Sequence, residues 1–146
     1  MAELPPAVPS PIWLSHHWPS EYDRCATVAG LRVCRRCLVL YPTAVVAAVL
    51  ALVGVTWPDR FDPVLLWLLP VPAVVEFVAE NLGWVRHSPP RLIAFTLLLA
   101  LACGKLYARY LDDTRDPLVW SVVVTYAAVC LGAVLWKAFR PQRVPS

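Results

Sequence analysis

The chain has 146 residues, of which 59% are hydrophobic and only 16% are charged. Soluble domains carry roughly 45–50% apolar and about 25% charged residues, so this composition indicates an integral membrane protein without a separate soluble enzyme domain. The net charge of +3 is too small to indicate a nucleic-acid partner. Only two of the 13 basic residues are lysine, and Ala, Val, Leu and Pro are abundant, which is typical of GC-rich prokaryotic genomes.

The N-terminal part of the chain carries the distinctive residues. Residues 1–12 are rich in proline, which predicts a disordered tail. This stretch does not have the pattern of a cleavable signal peptide. Residues 13–37 contain two adjacent histidines, a lone cysteine and a Cys-x-x-Cys pair: His16, His17, Cys25, Cys34 and Cys37. We interpret this stretch as a short Cys/His segment that precedes the membrane domain.

The spacing of Cys34 and Cys37 allows both thiolates to bind one tetrahedral metal ion from a tight turn. The remaining ligands can come from His17 and Cys25, or from His16. The full set then has three cysteines and one histidine, or two cysteines and two histidines. Zinc suits this mixture of sulfur and imidazole best, although an iron–sulfur or other iron centre uses the same residue types.

Three other interpretations of the segment stay open. Cysteines next to a membrane are sites of acylation. The Cys34–Cys37 pair can be redox-active, although no βαβ pattern accompanies it. The two histidines lie near tryptophans and can simply anchor the segment at the membrane interface.

Four apolar segments of about membrane-spanning length follow, at about 38–57, 63–84, 91–111 and 117–136. They predict an all-α membrane protein with four transmembrane helices over 38–137 and a basic tail over 138–146. Pro70 and Pro72 interrupt the second segment, which predicts a kinked helix packed inside the bundle. We also expect Lys105 and Arg109 to extend towards the membrane interface, and Asp116 to cap the fourth helix.

The distribution of lysine and arginine predicts the orientation. Nine of these residues lie on the side of the N-terminus and four on the other side. Because the side with more lysine and arginine usually faces the cytoplasm, we expect both termini to be cytoplasmic. The chain is then a multi-pass protein of a prokaryotic plasma membrane. Thiols stay reduced in the cytoplasm, so a metal site or reactive thiols fit better than a structural disulfide. Cys103 and Cys130, inside apolar runs, fit the role of small apolar residues.

The stretch 13–41 resembles the hallmark of a prokaryotic family of small membrane proteins, catalogued as domain of unknown function 2085. That family's pattern opens with Cys-His, continues to Pro-Glu-Arg-Ser and reaches Cys-x-Arg-Cys-x-Gly-x-Tyr at the first membrane helix. A second patch has an acidic residue in the second span, then Arg, Ser and Arg leading into the third. The matching residues are His17, Arg24, Cys34, Arg36, Cys37, Tyr41, Glu76, Arg86, Ser88 and Arg91.

The resemblance covers about 13–102 and has departures. His16 stands where the family has its first cysteine, Cys25 replaces a serine, and Val39 replaces a glycine. The loss of one cysteine and the gain of another keep the number of soft ligands constant. We therefore hypothesise that Cys25 or His16 substitutes in the ligand shell. The resemblance implies no activity.

A second group of polar residues lies on the same predicted side. Glu76 and Glu80 are four residues apart and share one helix face, and Arg86 and His87 follow them. Ionisable groups in a span usually face a partner or a watery cavity. Glu80 or His87 can approach the metal and bind it directly, or can hold another ligand in the correct orientation. A structural alternative pairs Glu80 with Arg86 or Arg91.

These observations lead to three hypotheses for function. The first is a membrane protein with a cytoplasmic zinc motif that acts as a structural or assembly partner in a larger complex or a homo-oligomer. The second is a membrane-bound metal or thiol redox enzyme. The third is a subunit of a small transporter or channel, based on the broken second helix and Glu76.

Overall fold

The computed structural model describes residues 25–139. The predicted Pro-rich tail over 1–12, His16, His17 and residues 140–146 of the predicted basic tail lie outside the described residues. The last helix continues to Phe139 and so includes the first two residues that were assigned to that tail.

The described chain begins with a β-hairpin. Strand β1 (Cys25–Val28) pairs antiparallel with β2 (Leu31–Cys34), so that Cys25 faces Cys34 and Val28 faces Leu31. The two turn residues, Ala29 and Gly30, both have positive φ, at 49° and 82°. This matches a type I′ turn, which suits the twist of a hairpin. The all-α prediction is therefore incomplete, because it missed this hairpin.

Five helices follow the hairpin: α1 (Arg35–Leu52), α2 (Asp62–Leu68), α3 (Val71–Leu82), α4 (Pro89–Asp112) and α5 (Pro117–Phe139). One 3-10 turn (Asp59–Phe61) precedes α2. Together with that turn, α2 and α3 form one span over Asp59–Leu82, so residues 25–139 contain four helical segments long and apolar enough to cross a membrane. The predicted number of apolar helices of membrane-spanning length is confirmed, and these helices indicate a multi-pass membrane protein.

The helix of the second span is interrupted where α2 meets α3. Pro70 is fully buried at this junction and Pro72 lies in the first turn of α3. Backbone hydrogen bonds continue on both sides, from the Leu69 amide to the Leu65 carbonyl and from the Val74 amide to the Pro70 carbonyl. The helix is therefore interrupted at the predicted place, because the two prolines have no amide hydrogen to donate. Gly83, with φ of 77°, ends α3 in a left-handed cap.

Helix α4 is the central element of the bundle. It packs along α1 and also contacts α3, while α5 packs mainly on α3. The crossing of α1 and α4 is close because Gly104 lies against Ala44, Ala47 and Ala48. Small residues at such a crossing let two backbones approach in a membrane.

The apolar core lies where α2, α4 and α5 meet. Its buried members are Leu66, Ala102, Leu106, Val119 and Val122.

The outer surface of the bundle is apolar. Large side chains such as Val46, Val124 and Leu131 are more than half exposed. Soluble monomers rarely expose large contiguous apolar patches, so these side chains are placed to contact the lipid bilayer.

Candidate functional site

The cysteines of the N-terminal segment lie near the junction of β2 and α1, where Cys34 is next to each of the other two. Cys25 opens β1 and faces Cys34, the last residue of β2, and both side chains are buried. The thiols of Cys34 and Cys37 are in hydrogen-bonding contact. Cys34 therefore contacts one cysteine along the chain and faces another across the hairpin.

The local geometry follows from the absence of a loop between β2 and α1. Cys34 is the N-cap residue of α1 and Cys37 is the third residue of that helix. The N-cap and third positions are neighbours at a helix start, as they are in a capping box. The two-residue gap thus brings the thiols together across a strand–helix junction instead of within the tight turn that the sequence predicted.

Positive groups lie at the junction. The N-terminus of α1 carries the positive end of the helix dipole, which favours anionic groups such as metal-bound thiolates. Arg35 and Arg36 occupy its first two positions. The Nε of Arg35 donates a hydrogen bond of 3.3 Å to the Cys25 carbonyl and holds β1 against the helix start.

Within residues 25–139, no three His, Cys, Asp or Glu side chains form a ready metal-binding group. Two of the five predicted ligands, His16 and His17, lie outside the described residues. Cys34 faces Cys25 and contacts Cys37, but within these described residues the three cysteines do not form such a group, and Glu76, Glu80 and His87 do not complete one. The metal site stays a prediction.

Glu76 links three helices through two arginines. Its side chain is only 2% exposed, and its Oε1 accepts a hydrogen bond of 2.7 Å from Arg91 Nε. Arg36 Nη2 lies 3.7 Å from Oε2, and the Arg36 guanidinium lies 5.3 Å from the centroid of the Phe77 ring. Arg91 Nη2 also donates to the Arg86 carbonyl at 2.8 Å. Among the described residues, Glu76 Oε2 accepts no hydrogen bond.

Glu80 is paired with His87, whose Nδ1 lies 3.1 Å from Glu80 Oε1. The predicted alternative partners of Glu80 were Arg86 and Arg91, but Arg91 binds Glu76 and Arg86 is exposed. The chain turns back at Gly83, and His87 is the residue that returns to Glu80. The Nε2 of His87 is buried without a hydrogen-bond partner among the described residues.

A second charged cluster lies at the opposite end of the bundle. Asp62 is completely buried, and its carboxylate accepts hydrogen bonds of 2.7 Å from Arg109 Nη1 and from Trp57 Nε1. Lys105 Nζ lies 2.7 Å from Asp59 Oδ1. The expectation that Lys105 and Arg109 extend towards the interface stays a prediction. Lys105 pairs with the exposed Asp59, whereas Arg109 pairs with the buried Asp62.

Asp116 joins this cluster and also caps α5. Its Oδ1 accepts a hydrogen bond of 2.8 Å from the Leu118 amide, which confirms the predicted cap, and its Oδ2 accepts one from Arg109 Nε. Burial alone would raise the pKa of Asp116, but the hydrogen bonds from Arg109 and from the Leu118 amide outweigh burial and hold its pKa below the usual value.

No protein-family model, curated protein or solved structure matches the chain. The family resemblance therefore stays a prediction that rests on its motif residues. Three charged residues of those motifs, Arg36, Glu76 and Arg91, belong to a single ion-paired group that joins α1, α3 and α4.

Proposed function

We propose that the chain is a multi-pass membrane protein in which Cys25, Cys34 and Cys37 bind one zinc ion, with His16 or His17 as the fourth ligand. The zinc-loaded hairpin acts as a structural or assembly element for a larger membrane complex. The observation that carries this proposal is that Cys34 faces Cys25 across the hairpin and contacts the Cys37 thiol at the start of α1.

The chemistry of this donor set favours zinc. Zinc in structural sites is four-coordinate and bound by thiolate and imidazole, and a hairpin followed by a helix is an arrangement that zinc fingers use. Three thiolates bring three negative charges, which the metal, the helix dipole and Arg35 and Arg36 offset. Four protein ligands leave no open position for a substrate, so such a site stabilises structure.

The proposed location is the cytoplasmic face of a prokaryotic plasma membrane. The excess of lysine and arginine on the side of the hairpin supports this orientation. The reducing cytoplasm keeps the thiols available for the metal.

Elemental analysis of the purified full chain tests the zinc site. We expect about one zinc per chain in the wild type and in the control Cys103→Ser, whose thiol lies within α4. Cys34→Ser removes the central thiol and should abolish stoichiometric zinc. Equal zinc content in Cys34→Ser and Cys103→Ser would contradict the proposed ligand set.

The assembly role is tested by purification in a mild detergent. We expect a defined protein partner at stoichiometric amount with the wild type and with Cys103→Ser, and its loss with Cys34→Ser. A stable, zinc-loaded particle that has no partner and turns over a substrate would contradict this role.

The contacts of Cys34 also favour a second candidate, a membrane-bound thiol redox protein. Cys34 faces Cys25 across the hairpin and contacts the Cys37 thiol, so two different disulfides are within its reach. A protein that contains no zinc and forms one of these disulfides reversibly with oxidised glutathione would favour this candidate over the first.

A further inference from the structure

A groove of about 370 Å³ runs between α3 and α4 at the end of the bundle that carries the hairpin. It extends from the interruption of the second span to the connection after α3 and is open along one side. This volume lies within the roughly 300–1,000 Å³ of ligand sites. Its walls are almost entirely apolar, and its lining residues are Val71, Pro72, Val75, Glu76, Ala79, Val85, Arg91 and Phe95.

The mouth of this groove is positively charged. Arg91 lines the groove and its side chain is 34% exposed, whereas the carboxylate of Glu76 beside it is 2% exposed. Arg86 follows the lining residue Val85 and is exposed. The neighbouring Glu80 side chain is 6% exposed and is paired with His87. The accessible charge at the mouth therefore comes from arginine.

The contacts of Arg91 hold its guanidinium at the edge of the groove. Its Nε donates to Glu76 and its Nη2 donates to the Arg86 carbonyl. These described contacts leave Nη1 for a further acceptor. A guanidinium that is fixed on two sides loses little freedom when it binds a phosphate oxygen.

We propose that this groove binds an anionic phospholipid from the bilayer. One acyl chain lies along Val71, Val75 and Phe95, and the phosphate contacts Arg86 and Arg91. An amphiphile with an anionic head matches an apolar groove that ends at exposed arginines, and basic pockets between transmembrane helices are recognised sites for anionic headgroups. The proposal is independent of the zinc site.

Native mass spectrometry of the full chain in detergent tests the proposal. The protein is offered an equimolar mixture of phosphatidylglycerol and phosphatidylcholine with identical acyl chains. The wild type should retain phosphatidylglycerol preferentially. Arg86→Gln should weaken this retention about fivefold, because one arginine near the headgroup contributes on the order of 1 kcal/mol. Val75→Trp should fill the groove and abolish retention.

Matched controls separate the groove from general surface effects. Val124 on α5 has the same 59% exposure as Val75 but lies outside the groove, so Val124→Trp should bind as the wild type does. Arg115→Gln removes an exposed arginine at the opposite end and should also have no effect. Circular dichroism checks the helix content of each variant, and Val71→Trp replaces Val75→Trp if the latter does not fold.

Two results would overturn the proposal. One is equal retention of both lipids by the wild type. The other is a folded groove-filling variant that retains phosphatidylglycerol as strongly as Val124→Trp does.

Discussion

The close crossing of α1 and α4 makes a sharp prediction for Gly104. A Cβ atom at this position would lie 2.5 Å from Ala47 Cβ, 2.6 Å from the Ala48 amide nitrogen and 2.8 Å from the Ala44 carbonyl oxygen. Carbon atoms in contact are about 3.5–4.0 Å apart, so Gly104→Ala must separate the two helices by about 1 Å. Two of the three atoms belong to the α1 backbone, which cannot move without the whole helix.

Gly132 provides a matched control for the size of this effect. It lies within α5, and a Cβ there would meet nothing within 4 Å. Replacing glycine by alanine in a helix interior gains about 1 kcal/mol of helix propensity at either site. Overpacking costs about 1–3 kcal/mol. The free energy of unfolding should therefore be about 1–3 kcal/mol lower for Gly104→Ala than for Gly132→Ala.

The assay is reversible unfolding in mixed micelles with increasing denaturing detergent, followed by circular dichroism. We expect Gly132→Ala to be at least as stable as the wild type and Gly104→Ala to unfold at a lower detergent fraction. Equal stability of the two variants would refute the close approach of α1 and α4.

The same assay checks three predictions about charged groups. Asp62→Ala removes the buried partner of Arg109, which keeps its ion pair with Asp116, and should cost about 1–3 kcal/mol, whereas Asp59→Asn, at an exposed carboxylate, should have a much smaller effect. The pKa of Asp116 is lowered in the folded state, so its carboxylate stabilises the fold above about pH 4. This stabilisation is lost as the pH falls through the folded-state pKa of Asp116. Asp116→Asn should therefore make the free energy of unfolding less sensitive to acid. Glu76→Gln leaves two arginines without their counter-charge and should destabilise the bundle. If Asp62→Ala or Glu76→Gln were as stable as the wild type, that result would contradict the ion pair that the variant removes.

The membrane architecture was predictable because it depends on segment length and apolar content alone. The four spans, the helix interruption at Pro70 and the cap formed by Asp116 each have a local signal in the sequence. The hairpin had no such signal. Its strands have four residues each, and Ala29 occupies a positive-φ position where glycine, asparagine or aspartate is usual.

The partners of the charged residues were not predictable from local spacing. Asp62 binds Arg109 across 47 positions, and Glu76 binds Arg91 across a chain reversal. Such pairs depend on how α4 lies against the second span. The convergence of Cys25 with Cys34 likewise depends on the register of the hairpin. Cys25 was predicted as a ligand together with Cys34 and Cys37, but the sequence did not indicate that it faces Cys34.

X-ray absorption at the zinc edge of the purified full chain tests the proposed zinc centre most directly, because it counts the ligand atoms. The proposed ligand set of Cys25, Cys34, Cys37 and one histidine predicts three sulfur ligands at about 2.3 Å and one imidazole nitrogen at about 2.0 Å. A protein without zinc, or a zinc shell of nitrogen and oxygen only, would contradict it.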